Sequence, residues 1–307
     1  MSQTLQASTL PARVLILGMG WSGRVLAQHL QALGACVAGT VRDPESAPQD
    51  GLRRHPLRAD ATPSPALLDE VARAEAVLCS VPPDADGDPA LRRLLPALQA
   101  SPALRWVGYL SSTSVYADRA GGRVDERSAA DATETAGVQR LRAEAQWRAL
   151  AEERGIASAL FRLPGLYGPG RNALLQLAQG RARHVVRPGL AFNRLHVDDL
   201  ARVVIASMQR PCMDGLYLPS DDEPAPPQEV LAFAAQLGGF AMPPAVAWDD
   251  PTLSPTLRRF YESNKRIDSR GTREALAWEP RFPTYREGLE DLAAALASGF
   301  GRSQLPR

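Results

Sequence analysis

Val14-Leu15-Ile16-Leu17-Gly18-Met19-Gly20-Trp21-Ser22-Gly23-Arg24-Val25-Leu26-Ala27-Gln28-His29-Leu30 decides how the rest of the chain is read. Val14 to Leu17 are four consecutive apolar residues, two of them β-branched, and predict a short strand buried on both faces. The strand runs straight into Gly18, Gly20 and Gly23 at GxGxxG spacing. From Val25 the apolar period lengthens to that of a helix, with Val25, Leu26, His29, Leu30 and Leu33 along one side and Gly34 closing it. Strand, tight turn and helix in this order build a pyrophosphate site. Gly18 makes the turn, Gly20 lets phosphates approach the backbone, and Gly23 lets helix and strand pack closely. The free N–H groups at the helix start, around Trp21 and Ser22, face the anion.

A second strand, Cys36 to Val41, ends in Thr40-Val41-Arg42-Asp43. An NAD-preferring site places a carboxylate about 20 residues past the glycines to accept the ribose hydroxyls. Here that distance reaches Arg42, whose guanidinium suits a 2′-phosphate, so NADP is the predicted cofactor. Asp43, one residue later, keeps NAD as the runner-up, and an exposed loop arginine is the plain structural alternative.

The composition sets outer bounds. A chain of 307 residues with 45% hydrophobic and 22% charged residues and a net charge of +1 predicts an ordinary globule, with no nucleic-acid or membrane electrostatics. No apolar run approaches a bilayer span and no leader pattern opens the chain, which predicts a cytoplasmic location. Cys36, Cys79 and Cys212 have no metal-ligand spacing; two lie in predicted strands and read as reduced core residues, and no metal site is expected. Of the 35 basic residues only Lys265 is lysine. Any mechanism that needs a lysine has one candidate.

Residues 1–11 read as a flexible lead-in and 44–55 as a surface loop. Leu57-Arg58-Ala59-Asp60 predicts a short strand, with Asp60 either beside the adenine or capping the helix predicted over 65–74. Ala76 to Pro83 is a strand whose carboxyl end, Ser80-Val81-Pro82, reaches the cofactor crevice. A helix over 88–99 follows, with Asp88 as its cap. The strand Arg105 to Leu110 then delivers Ser111-Ser112-Thr113-Ser114 to the same rim. A helix over 137–153 and a strand over 157–163 lead into a rigid loop from Pro164. Alternating strands and helices predict a doubly wound parallel sheet. Beyond it the pattern is irregular, with short pieces around 192–197, a helix over 198–208, a strand over 215–218, a helix near 228–237 and many prolines. The predicted division is a dinucleotide-binding domain over 12–165, to which 195–220 returns, and a smaller irregular lobe over 166–194 and 221–307 that covers the substrate.

These pieces resemble the extended short-chain dehydrogenases/reductases, the group containing nucleotide-sugar epimerases and dehydratases, over nearly the whole chain. The resemblance rests on the Gly18/Gly20/Gly23 turn, Leu110-Ser111-Ser112-Thr113-Ser114-Val115-Tyr116, Phe161-Arg162-Leu163-Pro164-Gly165-Leu166-Tyr167-Gly168-Pro169-Gly170, and Leu195-His196-Val197-Asp198-Asp199-Leu200. It implies a Rossmann fold, with Leu163 and Pro164 beside the cofactor and Ser112, helped by Thr113, polarising a substrate carbonyl or alcohol. GxGxxG in place of the GxxGxxG usual for extended members points to an atypical branch.

The resemblance also implies a tyrosine, with a lysine four residues on, as the proton-transfer pair. The register fixed by Arg140-Leu141-Arg142-Ala143-Glu144 puts Ala136 at the tyrosine position and Arg140 at the lysine position. Alanine has no proton to exchange, and arginine effectively never deprotonates. Arg140 can keep only the cofactor-holding half of the role. Tyr261-Glu262-Ser263-Asn264-Lys265 matches YxxxK by letter but lacks the preceding strand, so Lys265 and its neighbours are expected on the lobe surface or lining the substrate site. Asp118, Glu134 and Tyr167 are the candidate replacement acids. Asp88 is either an active-site group or a cap; His196, Asp198 and Asp199 read as helix-start residues.

Two functions follow. One is an NADP-dependent oxidoreductase or epimerase/dehydratase-like enzyme acting on a small carbonyl or alcohol substrate, nucleotide sugars included, in the form of a homodimer common in the family it resembles. The other is a dinucleotide-binding sensor that kept the crevice and lost the chemistry.

Overall fold

Successive residues of a strand face opposite sides of its sheet, so the run from Val14 to Leu17 needs an apolar layer on each side. The computed structural model, which describes residues 9–58 and 61–297, supplies both. Val14 and Ile16 pack in one buried cluster with Leu26 and Leu30; Leu15 and Leu17 pack in another with Leu67, Leu91 and Trp147.

The first half of the chain runs β1 (Arg13–Leu17), α1 (Trp21–Ala32), β2 (Cys36–Val41), β3 (Arg53–Pro56), α2 (Pro65–Arg73), β4 (Ala76–Cys79), α3 (Pro89–Ala100) and β5 (Trp106–Ser112). A short β6 (Arg123–Val124) precedes α4 (Thr135–Arg154), β7 (Ala157–Leu163), β8 (Gly165–Tyr167), α5 (Ala173–Ala178), β9 (His184–Val186), β10 (Arg194–His196), α6 (Val197–Gln209) and β11 (Gly215–Tyr217). Then come α7 (Pro227–Gly238), β12 (Ala245–Ala247), α8 (Pro255–Glu262), β13 (Arg266–Ile267), α9 (Arg270–Leu276) and α10 (Tyr285–Ala297).

Seven strands form one parallel sheet in the order β11-β7-β5-β4-β1-β2-β3. Helices α1 and α6 cover one face, and α2, α3 and α4 the other. This is the doubly wound Rossmann architecture, with the change of winding direction between β1 and β4. The other strands pair in parallel twos, β8 with β10, β9 with β12 and β6 with β13. A separate apolar cluster joins Leu174 and Leu177 of α5 to Leu231 and Ala234 of α7 and Tyr285 and Leu289 of α10.

Three local expectations need correction. The third strand lies at Arg53–Pro56, inside the stretch read as a loop, and not at 57–60; of the latter, Ala59 and Asp60 lie outside the described residues. An edge strand pairs on one side only and tolerates arginines such as Arg53 and Arg54 and a terminal proline, so it lacks the apolar signature of a central strand. Cys36 is exposed at the start of β2, whereas Cys79 is buried as expected. The helix predicted near 228–237 is α7, and the proline-rich tail beyond it is more helical than its pattern predicts, because Pro255 opens α8 instead of breaking it. Of the lead-in 1–11, residues 1–8 lie outside the described residues.

Candidate active site

The glycine turn is fastened from both neighbours of β1. The Gly18 N–H donates to Thr40 Oγ1 at 2.9 Å and the Met19 N–H to the Thr40 carbonyl at 2.7 Å, while Ser80 Oγ donates to the Gly18 carbonyl at 2.6 Å. Gly18 has φ +83°, and a side chain there would press on Val81 at 2.9 Å. A side chain at Gly23 would meet Ile16 at 3.2 Å and the Gly18 carbonyl at 3.3 Å, the close helix–strand contact the motif requires. At Gly20 nothing lies within 4 Å, so the backbone stands open to an approaching anion.

That opening belongs to a cavity of about 580 Å³ at the carboxyl ends of β1, β2 and β4. Gly18, Gly20, Ser22, Arg42, Ser80, Val81 and Pro82 all line it. Arg58 and Arg93 line it too, and among the described residues no carboxylate does. Asp43 lies in the adjoining cavity and accepts the Glu45 N–H at 3.2 Å. Asp60 lies outside the described residues. The remaining cofactor candidates are not on this wall. Gly23 is buried under the turn; Trp21 donates from Nε1 to the Pro169 carbonyl at 2.8 Å; Leu163 is the last residue of β7, level with Ser112, and Pro164 follows it.

Ser112 ends β5 and caps a 3₁₀ turn over 113–115, its Oγ accepting the Ser114 N–H at 3.2 Å. The cap uses only a lone pair, which leaves the hydroxyl hydrogen free to donate. Thr113 is half-buried beside it. Arg140, on α4, donates from Nη1 to the Leu110 carbonyl at 2.6 Å and reaches the Tyr109 hydroxyl at 3.4 Å, so it braces the end of β5. Helix α4 sits tight against this turn because a side chain at Gly137 would collide with the Ser114 carbonyl. Ala136, one residue earlier, is exposed.

No family model matches the chain. The 3-diazoavenalumate denitrifying reductase of a Streptomyces species is 29% identical over 306 residues, covering 90% of this chain and 99% of the relative. A conserved protein of unknown function from Silicibacter pomeroyi superposes with a TM-score of 0.83 at 40% identity, covering 92% of this chain and 98% of that one. A candidate NAD-dependent epimerase/dehydratase from Methylobacillus flagellatus superposes with a TM-score of 0.68 at 26% identity, covering 93% and 99%. The chain is an extended short-chain dehydrogenase/reductase.

The remaining polar candidates of this dehydrogenase/reductase are tied to structure. Asp88 is fully buried and caps α3, accepting the Ala90 and Leu91 N–H groups at 2.8 and 3.1 Å and Trp147 Nε1 at 2.7 Å. His196 Nδ1 caps α6 by accepting the Asp198 N–H at 3.2 Å. Asp198 accepts from His29 at 3.2 Å, and Asp199 accepts the Arg281 and Phe282 N–H groups at 2.6 and 3.0 Å. Of the three candidate acids, Asp118 accepts the Asn264 N–H at 2.6 Å, Glu134 is exposed before α4, and the Tyr167 hydroxyl donates to the Thr284 carbonyl at 3.4 Å, with burial pushing its pKa up. Among the described residues no cluster could hold a metal, and no helix is long and apolar enough to cross a membrane.

Two features escaped the sequence reading. The first is Lys265, which is buried and lines neither the crevice described above nor the cavity beyond β8. Its Nζ donates to the carbonyls of Tyr116 at 2.9 Å and Thr113 at 3.3 Å, bracing the active-site turn from beneath. Burial lowers its pKa to about 8. Tyr261, in α8, is not on a common helix with it. The second is a buried ion pair under the same turn. Arg162 donates to both oxygens of Glu144 at 3.1 and 2.8 Å and to the Tyr116 hydroxyl at 2.9 Å, while Ser111 Oγ donates to Glu144 at 2.5 Å.

A second cavity, of about 380 Å³, opens beyond β8. A signal for it was present: between Glu153 and Asp198 the chain carries seven arginines and no carboxylate.

Proposed function

We propose that this chain is an NADP-dependent reductase of the extended short-chain type, working on a small carbonyl or related hydride-accepting substrate. One observation carries the cofactor choice. The cavity at the switch point has Arg42 and Arg58 on its wall and, among the described residues, no carboxylate, which suits a 2′-phosphate better than a ribose hydroxyl pair. Gly18, Gly20 and Ser22 would hold the pyrophosphate, and Ser80, Val81 and Pro82 the inner edge of the crevice. The bound cofactor supplies the hydride.

The chain's own residues supply the rest. Ser112 donates its free hydroxyl hydrogen to the substrate oxygen, and Thr113 stands beside it. Arg140 holds the end of β5 so that this hydroxyl keeps its place. With Ala136 exposed at the start of α4, no tyrosine moves the proton; solvent water delivers it to the oxygen that Ser112 holds. The segments 166–194 and 221–297 form the substrate-covering lobe.

Fluorescence titration with NADPH and NADH tests this reading. Wild type is expected to bind NADPH at least about tenfold more tightly than NADH, and Arg42→Ala to remove the difference, since charge-assisted contacts of this kind contribute about 1.5–3 kcal/mol. Equal binding of the two nucleotides by wild type would overturn the NADP assignment. Binding without turnover across a carbonyl panel would leave the sensor reading, which the exposed Ala136 favours.

A further inference from the structure

The second cavity is basic and aromatic at once. Arg171, Arg181, Arg183 and Arg194 line it, and among the described residues no carboxylate does. Among the described residues none of these four makes an ion pair, although nineteen such contacts occur elsewhere. Four guanidinium groups without an ion-pair contact, gathered round one concavity, focus a field that attracts an anion.

Arg194 is the built part of the site. It is 7% exposed, donates from Nη1 to the carbonyls of Phe192 at 2.8 Å and Ala225 at 2.6 Å, and has no protein partner for Nε or Nη2 among the described residues. Burial lowers its pKa only to about 10, so it stays charged at neutral pH. Asp221, whose charge acts on Arg194, is buried with neither side-chain oxygen hydrogen-bonded, and burial pushes its pKa well up. A fixed guanidinium with a free edge presents a fork that fits a planar carboxylate.

The rest of the wall is aromatic. The Arg194 guanidinium lies 4.9 Å from the centre of the Phe192 ring and 6.0 Å from that of Tyr285. Tyr167 and Tyr261 complete it. At about 380 Å³ the cavity sits near the small end of the range for small-molecule sites, which favours one ring with a short acid arm over a nucleotide diphosphate sugar. One strand links it to the proposed chemistry: Ser112 pairs with Leu163, and the chain runs from Leu163 through Pro164 into β8, which lines the cavity with Leu166 and Tyr167.

We propose that this cavity binds a compact aromatic carboxylate, its acid group on Arg194 and its ring among Tyr167, Phe192 and Tyr285. The proposal deepens the reductase reading and rests on it for the identity of the ligand as substrate.

Isothermal titration of the full chain with 4-hydroxycinnamate, its neutral amide and UDP-glucose tests it. The acid is expected to bind saturably, and the amide at least about tenfold more weakly. Arg194→Gln should weaken the acid by a similar factor. Because Arg194 is buried, Arg171→Gln and Arg183→Gln on the exposed rim are measured beside it, each expected to weaken the acid several-fold with an unchanged thermal melt. Equal binding of acid and amide, tighter binding of UDP-glucose, or no response to the rim variants would overturn the proposal. NADPH titration of the same protein separates the two readings. Acid binding without NADPH binding removes the reductase reading and keeps the cavity; NADPH binding without acid binding does the reverse.

Discussion

The indole Nε1 of Trp21 donates to the carbonyl of Pro169 at 2.8 Å, joining the first residue of α1 to the loop after β8 across 148 positions of sequence. Arg171 lies over the same indole, 5.5 Å from the ring centre, and also lines the second cavity. The phosphate-facing helix start and the basic cavity thus share one side chain. Trp21→Phe keeps most of the packing and removes the donor. Apparent NADPH affinity is expected to fall by roughly two- to tenfold, in line with about 1 kcal/mol for a lost hydrogen bond, with little change in Tm. A fluorescence titration and a thermal melt on one preparation read both.

Ser112→Ala deletes the proposed oxygen-holding hydroxyl and the cap on the 113–115 turn. Steady-state kinetics should show kcat reduced by about 10²–10³-fold, the usual loss of one preorganised donor, while NADPH binding stays within about twofold of wild type on the same reasoning. A fall in nucleotide affinity as large as the fall in kcat would assign Ser112 a structural role only.

Glu144→Gln leaves Arg162 buried without its charge partner. Removing one member of a buried pair costs about 3–5 kcal/mol, and here one acceptor oxygen becomes an NH2 donor facing the donors Arg162 and Ser111. Urea unfolding should give a midpoint lowered accordingly, with an unchanged slope.

Lys265 carries a pH dependence. Its folded pKa, about 8, lies below its ordinary value of 10.5 because burial disfavours the charge. Between those values the unfolded chain binds more protons than the folded one, so unfolding free energy rises with pH across that window and the contribution is flat below it. The total change is about 2–4 kcal/mol. Lys265→Met should remove this part of the slope, read as the difference between the two proteins' denaturation curves from pH 7 to pH 11.

Sequence spacing carried the local features well. Three glycines within six positions define one turn, and the strand and helix flanking it follow from a change of apolar period, so the crevice was legible before any coordinates. Features made by distant residues were not. Lys265 reaches Tyr116 across 149 positions, and Arg162 reaches Tyr116 across 46. No periodicity links such pairs; the folded topology brings them together. The edge strand Arg53–Pro56 was missed for a different reason, since its polar side chains give no apolar core signal.

Lys265 has one more consequence. The side-chain amine that reagents for acylation, cross-linking or bead coupling look for occurs once in the whole chain and lies sealed beneath the 113–116 turn. The native surface therefore offers such reagents no lysine, and a lysine-specific protease finds its single cleavage point only after that turn has lifted away. Appearance of the two resulting fragments would time the opening of the active-site floor, with no label added and no residue changed.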